Sequence, residues 1–369
     1  MTSAKSDRYG RLNPMLAAIE ALVRCESPSE DLEACRNVVH LASDIATRVL
    51  GTPAQIKEVE GRPVFWWGAT TPEILILAHL DTVWPHGSYT PLWEVNGDVV
   101  RGPGVFDMKA GFVQALYALK DLPEAGSRVA LVATTDEEIG SFASRKLIMD
   151  LSAHSQAVLV LEASLDGKVK TGRKGTAMYK VSAHGLASHA GLEPEKGINA
   201  TVEIAHLILK LSALEDSAHG TTVVPTLLRS GNSANTVPDL AVLEIDARSF
   251  SQAELERVDA AIKALPATVN GARVEVTGGL NRPPLQPAST KALYERIERV
   301  AKEIGMAPLG CAEVGGASDA NFAAAAGAQV LDGLGAVGGG AHAPNEWLSL
   351  KSIEERSALL HALLKDLLK

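Results

Sequence analysis

The chain has 369 residues, which suits two domains of roughly 100–200 residues each and needs no metal or disulfide staple merely to fold. Hydrophobic residues at 46% and charged residues at 21% are ordinary for a globular protein and exclude disordered and fibrous classes. Asp plus Glu number 44 against 35 Lys plus Arg, a net charge of −9 with 4% aromatics, which argues against a nucleic-acid-gripping surface.

In chain order, residues 15–49 predict two amphipathic helices split at Ser27-Pro28-Ser29. Glu73–His79 (EILILAH) is a continuous apolar run of buried parallel-strand type. Lys109–Lys120 reads as a helix, Arg128–Thr135 as a second buried strand, Ser141–Asp150 as a helix and Ala157–Glu162 (AVLVLE) as a third strand. Strands alternating with helices predict an α/β domain built on a parallel sheet covered on both faces. No apolar run reaches about 18 residues, so no membrane span is expected. MTSAKSDRYGRLNP at the start has no apolar signal-peptide core. Cys25, Cys35 and Cys311 form no CxxC pair and no disulfide framework, as in a reducing compartment, so a cytoplasmic protein is expected.

A different unit begins near Lys174. Ala177–His184 alternates like a half-exposed strand, Gly197–Leu214 is helical, and Thr221–Ser230 and Leu240–Arg248 are strands. Ser251–Leu265 is a helix capped by Ser251 with Glu254 three residues on. Arg273–Thr277 closes the unit, and Gly278-Gly279 with Pro283, Pro284 and Pro287 mark a break. The order β-α-β-β-α-β is that of a ferredoxin-like sandwich. Helix 289–304, a strand–helix–strand stretch and a last helix near 351–368 follow. The expected fold is therefore α/β, a mixed, mostly parallel sheet domain (1–174 and 285–369) with an inserted ferredoxin-like unit (175–284).

Five acidic or histidine features fall at strand ends or beside glycine-rich turns. His79-Leu80-Asp81 follows the first buried strand, and Asp107 sits in GPGVFDMKAG, residues 102–111. Glu137-Glu138 follows the second strand, Glu162 ends the third, and His342 follows Gly338-Gly339-Gly340-Ala341. Ligands of open α/β sheets bind beyond the carboxyl ends of the strands. Singly, each feature has a plain structural explanation: a core histidine, a solvated turn, an N-cap. Asp107, Glu137, Glu138 and Glu162 converging with two imidazoles would repel one another without cations, and a pair of divalent metals removes the conflict. Such donors suit zinc, with cobalt or manganese tolerated. The Gly333–Gly340 stretch lacks the G-K-[ST] ending of a phosphate loop.

This series resembles the zinc-dependent carboxypeptidase and deacylase family of glutamate carboxypeptidases, acetylornithine deacetylase, succinyl-diaminopimelate desuccinylase, aminoacylase and peptidase T. The resemblance runs from about Leu16 to Leu368. It implies that Asp107 bridges two metals, that His79 and Glu162 hold one, and that Glu138 and His342 hold the other. It implies Glu137 as general base and Asp81 as the acid behind His79. In the family a histidine of the inserted lid, from the partner subunit of a homodimer, donates to the tetrahedral oxyanion, and His189 in GLASHAG matches it. Asn235 and Arg248 match lid residues that grip the substrate's carboxylate, which arginine can hold with two parallel hydrogen bonds. Lys168 and Arg282 resemble further carboxylate contacts. Gly315-Gly316-Ala317-Ser318-Asp319 resembles a glycine pair and acid at the site floor, where Gly316 would let the backbone approach the substrate.

The expected activity is a di-zinc amidohydrolase releasing a free amino acid, most nearly a glutamate carboxypeptidase-like exopeptidase. The alternative is an N-acyl amino acid deacylase of acetylornithine deacetylase or aminoacylase type. A binding-only relative would have no need of Glu137. Expected partners are a small-molecule or short-peptide substrate with a free carboxylate and a second copy of the chain, with no nucleic acid and no membrane.

Overall fold

The computed structural model describes residues 11–369. The first ten residues, read above for an export signal, lie outside the described residues. α1 (Leu12–Arg24) and α2 (Leu32–Leu50) come first. The Asp31 carboxylate starts α2 by accepting from the Glu33 and Ala34 amides, both at 3.0 Å. Gly51, at φ 73°, ends it. β1 (Gln55–Val59) and β2 (Arg62–Gly68) follow as an antiparallel pair. The sequence reading assigned no strand there. β1 is largely exposed and carries no buried run to read, and Pro63 sits at the start of β2, where a missing N–H is tolerated.

Next come β3 (Ile74–His79), β4 (Glu94–Asn96), β5 (Val99–Arg101), α3 (Ala110–Leu119), α4 (Ala125–Arg128) and β6 (Val129–Thr134). Every residue of β3, β6 and α3 is buried, as expected of strands and a helix enclosed on both sides. α5 (Arg145–His154) starts four residues later than the expected helix. The Asp136 carboxylate accepts from the Ala143 and Ser144 amides and holds the preceding stretch as a loop. β7 (Ala157–Val160) and β8 (Val169–Arg173) follow.

Then come β9 (Gly175–His184), α6 (Ala200–Ser212), β10 (Thr222–Ser230), β11 (Leu240–Ser249), α7 (Gln252–Lys263) and β12 (Arg273–Arg282). The chain finishes with α8 (Pro287–Glu303), β13 (Cys311–Val314), α9 (Asp319–Ala325), β14 (Val330–Leu331), β15 (Gly338–Gly339), β16 (Trp347–Ser349) and α10 (Ser352–Leu367).

The chain divides into two units. One runs through Gly172 and takes in Gln286–Glu313 and Ser318–Lys369. Its six-stranded sheet has the order β1-β2-β6-β3-β7-β14. β6, β3, β7 and β14 run parallel, and β1 and β2 make the antiparallel edge. The fold is thus mixed α/β around a mostly parallel sheet. α3 packs on β3 and against α1, α2 and α10. Gly111 lets α3 approach the end of β7: a Cβ there would lie 2.3 Å from the carbonyl oxygen of Leu161, just past that strand. A small antiparallel sheet, β15-β16-β5-β4, ties the end of the chain to the Glu94–Arg101 hairpin.

The other unit is Arg173–Leu285 with Val314–Ala317. Its antiparallel sheet has the order β10-β11-β9-β12, with α6 and α7 packed on it over an apolar core that includes Tyr179, Ile204, Leu207, Leu243 and Val258. α7 is capped as expected, by the Ser251 hydroxyl accepting from the Glu254 amide. Gly278-Gly279, read above as a break, lies inside β12, which continues to Arg282. Gly278 has φ 94°, and a Cβ there would meet the Met178 carbonyl at 2.2 Å, so glycine allows the close strand pairing. Among the described residues, no helix is long and apolar enough to cross a membrane.

Candidate metal centre

The carboxyl ends of β3, β6 and β7 carry the first part of the site. His79 ends β3, is 1% exposed, and turns its two ring nitrogens to different partners. Nδ1 lies 3.1 Å from the Asp81 carbonyl oxygen and 3.5 Å from its Oδ1. Those acceptors hold a proton on Nδ1, so Nε2 is the nitrogen that would serve as a ligand atom once its own proton is lost. Nε2 lies 3.3 Å from Asp107 Oδ1 and 3.8 Å from Glu162 Oε1. Asp81 is itself fixed, accepting from the Ser29 hydroxyl at 2.7 Å and the Glu138 amide at 3.2 Å.

The second histidine comes from the loop after β15. His342 holds a left-handed backbone, φ 60°, unusual for a residue with a Cβ. Its Nε2 lies 2.9 Å from Glu138 Oε2 and 3.6 Å from Asp107 Oδ2. The Asp107 carboxylate therefore presents one oxygen to each histidine. His79, Glu137 and Glu162 also offer ligand atoms all within 4.8 Å of one another, as do His79, Asp107 and Glu138. By position alone Glu137 could be a ligand or a base. A cavity of about 880 Å³ borders Glu138 and Ile139 and is lined also by Thr82, Val83 and the Pro28–Glu33 turn.

The electrostatics are those of acids and imidazoles held close together, in the candidate metal-binding groups. Burial would raise Asp107, but the hydrogen bond from His79 and the charges of His79, His342 and Lys170 outweigh it and hold the carboxyl at about 2. Burial pushes Glu138 up to about 8, with Asp107 and Glu137 adding to it and His342 opposing. The bond to Glu138, followed by the charges of Glu138 and Asp107, lifts His342 to about 9 against the effect of burial. For His79, burial lowers, but Asp107, Asp81 and Glu137 prevail and hold it well above its ordinary value. Divalent ions satisfy this donor set, because they stabilise the carboxylates as anions and the imidazoles as neutral ligands. Donors about 2.0–2.2 Å from a tetrahedral zinc stand roughly 3.3–3.6 Å apart. The His79–Asp107 and His342–Asp107 separations of 3.3 and 3.6 Å fall in that range, whereas His342–Glu138 at 2.9 Å and His79–Glu162 at 3.8 Å fall outside it.

The other expected residues fall in different places. Lys168 is exposed on the Leu165–Lys168 turn. Lys170, which the sequence reading passed over, is the lysine whose charge reaches Asp107. Its place on β8 comes from the fold alone, since the sequence predicts no strand there. In the second unit, the His189 and Asn235 segments are joined: the Ala190 amide donates to the Asn235 carbonyl, and His189 bridges to Thr236. His189 is exposed, and its Nδ1 accepts from the Gly191 and Leu192 amides at 3.1 Å each. That pins the neutral ring as the Nε2–H tautomer, a donor. Arg248 and Arg282 are both in register with Thr176 on the two strands flanking β9 and so share one face of that sheet. Arg248 is held by two bonds to Asp246, at 2.8 and 2.9 Å, and by one to the Gly315 carbonyl. The Gly316 carbonyl accepts from Arg173 at 3.0 Å.

A second unanticipated residue is Glu346, 1% exposed, whose carboxylate accepts from the Gly104, Phe106 and Asp107 amides. Nothing local flags it except an acid set beside the apolar Trp347-Leu348.

The family model described as Peptidase family M20/M25/M40 matches residues 75–366. Carboxypeptidase G2 of Pseudomonas sp. (strain RS-16) is 35% identical over 309 residues, 80% of this chain and 74% of that one. Succinyl-diaminopimelate desuccinylase of Sulfurovum sp. (strain NBC37-1) is 24% identical over 318 residues, 81% and 83% of the two chains. Among solved structures, the M20 family metallo-carboxypeptidase Sso-CP2 of Sulfolobus solfataricus matches with a TM-score of 0.74 at 18% identity, over 95% of this chain and 98% of that one. A family match across most of the chain, together with histidines and carboxylates gathered at strand ends, gives one conclusion: this chain belongs to peptidase family M20/M25/M40 and is a metal-dependent hydrolase.

Proposed function

We propose that the protein is a two-zinc amidohydrolase that releases a free amino acid, most nearly a glutamate carboxypeptidase-like exopeptidase. The observation that carries this reading is the Asp107 carboxylate, one oxygen toward His79 and the other toward His342. His79 and Glu162 would hold one ion, Glu138 and His342 the other, and Asp107 both. Zinc fits these donors, with cobalt or manganese as substitutes. Ions held there would supply Lewis acidity toward the scissile carbonyl and lower the pKa of attacking water.

The protein's residues do the rest. Glu137, buried beside this set, accepts the proton of the attacking water and delivers it to the departing amine. Asp81 keeps His79 in the tautomer that leaves Nε2 bare. His189 Nε2–H is the donor for the developing oxyanion. Arg248, Arg282 and Asn235 bind the substrate's carboxylate; two arginines on one sheet face support this. Lys168, and Gly316 through its backbone, are assigned to the same substrate end.

The catalytic domain comprises 1–174 and 285–369, and 175–284 is a ferredoxin-like lid. The strand order β12-β9-β11-β10 supports that name, being the fourth, first, third and second strands of a βαββαβ unit. The lid is also the homodimer surface. Edge strand β10 exposes Val224, Leu227 and Leu228, and α6 exposes Leu209 at 73%, features that two copies would cover isologously. The free cysteines Cys25, Cys35 and Cys311 support a cytoplasmic setting.

The relative named as a desuccinylase favours the second reading, an N-acyl amino acid deacylase. Amino-acid release from folyl- and dipeptidyl-glutamates and from N-acetyl and N-succinyl amino acids, each with zinc, cobalt and manganese, tests both. The exopeptidase reading expects glutamate-terminated substrates to have the highest kcat/KM. Preference for N-acyl substrates replaces it with the deacylase, and no hydrolysis in any arm contradicts both.

A further inference from the structure

Glu346 lies four residues beyond His342 and is 1% exposed. The proposed mechanism gives it nothing to do. Yet its two oxygens accept four N–H bonds from two other loops. Oε1 takes the Phe106 amide at 2.9 Å and the Asp107 amide at 3.1 Å. Oε2 takes the Gly104 amide at 3.0 Å and the Trp84 indole N–H at 3.2 Å. The Glu346 carbonyl accepts from the Tyr89 hydroxyl at 3.1 Å, and Tyr89 stacks edge-on against Trp84 with ring centres 4.9 Å apart.

The Gly104–Asp107 turn needs such an anchor. Gly104 has φ 70°, and a Cβ there would lie 2.6 Å from Thr82 Cγ2. Asp107 itself is not helical, at φ −116° and ψ 91°, although it sits just before α3. Helix hydrogen bonding therefore does not fix its backbone. What fixes it is an anion set against three successive-turn amides. The same carboxylate belongs to the loop that carries His342, which is tied internally by the Glu346 amide to the Ala343 carbonyl at 3.0 Å.

The chemistry requires a carboxylate. Four donors meet two oxygens, and an amide of the same shape would turn an NH₂ group toward two N–H donors. Another acid beside an acidic centre carries an electrostatic cost, which an apolar or amide side chain would avoid. Its four donors work against that cost and occupy both oxygens.

We propose that Glu346 is a positioning residue of the two-ion centre, holding the Asp107 turn and the His342 loop in register so that Asp107 can serve both ions. This rests on the two-ion reading of the site.

The test titrates metal-free protein with zinc against a chromophoric chelator and records the Tm of each metal-free variant. Glu346→Gln is compared with Glu203→Gln. Glu203 is a matched buried carboxylate in the second unit, accepting from the Thr268 and Val269 amides and the Thr268 hydroxyl. Wild type binding two zincs, Glu346→Gln binding them about 10–100-fold more weakly, and Glu203→Gln staying within threefold of wild type is the expected result. Equal zinc affinity in Glu346→Gln and wild type overturns the proposal. So does equal weakening in both variants, which would mark a loss of general stability. Wild type that binds no zinc overturns instead the two-ion reading beneath it. If Glu346→Gln does not fold, Glu346→Asp decides. It keeps the charge but withdraws it by one carbon–carbon bond, out of reach of both donor pairs, so its zinc affinity falls at least tenfold. A folded Glu346→Asp with wild-type affinity overturns the proposal as well.

Discussion

Glu137 and Glu138 are neighbours at one strand end, yet their surroundings differ. Glu138 faces His342 at 2.9 Å, and its amide donates to Asp81. Glu137 groups instead with His79 and Glu162. If Glu137 is the general base, Glu137→Gln keeps the shape and deletes the proton acceptor. Turnover then falls by about two to four powers of ten, while metal analysis still finds two ions per chain. Retention of more than about a tenth of the wild-type rate contradicts the assignment. At this scale the sequence was informative where chemistry is carried by short spacings. His79-x-Asp81 and Glu137-Glu138 follow buried runs, and Asp107 sits in a glycine-led turn, so each could be placed at a strand or helix end. Glu346 was illegible because its partners are about 240 residues away, and no local pattern encodes that return. Lys170 was not singled out: a turn closes at Lys168, and the charge that reaches Asp107 comes from the strand beyond it.

Elements with a strong buried pattern were read well, and those without one were not. β3 and β6 are wholly buried, so their apolar runs stood out. β4, β5, β15 and β16 are two or three residues long, too short for any period, although they support the His342 loop. The glycines of β12 read as a break because glycine usually signals a turn, whereas here Gly278 serves close strand pairing. α8 and α10 are pinned by one acid. Burial would raise Asp366, but Arg296 Nε and Arg299 Nη2, each 2.6 Å away, hold it at about 2. A folded-state value below the unfolded one means stabilisation that is full above about pH 4 and is lost as pH falls toward 2. Asp366→Asn therefore lowers Tm at pH 6, and the gap to wild type narrows as pH drops from 4 to 2. A gap that stays constant over that range contradicts the ion-pair account.

At the scale of the whole molecule, the proposal needs both units and two copies of the chain. His189 belongs to the second unit and the proposed metal ligands to the first. His189→Ala should slow turnover by about 10²–10³ with metals retained, the loss expected for one oxyanion donor. Mixed with Glu137→Gln, it should recover part of the activity, because a heterodimer joins an intact metal site to an intact donor from the other chain. No recovery after subunit exchange, verified by mass, shows that His189 does not act across a dimer. The sequence pattern changes near Lys174, one residue past the start of the second unit at Arg173, but nothing in it marks the return of Val314–Ala317 to that unit, which tertiary pairing places there. The central claim is that Asp107 serves two ions at once, and anomalous diffraction from zinc-loaded crystals tests it most directly. Two zinc peaks on either side of the Asp107 carboxylate are predicted, one reached by His79 and Glu162 and the other by Glu138 and His342. A single peak, or zinc bound away from Asp107, would contradict it.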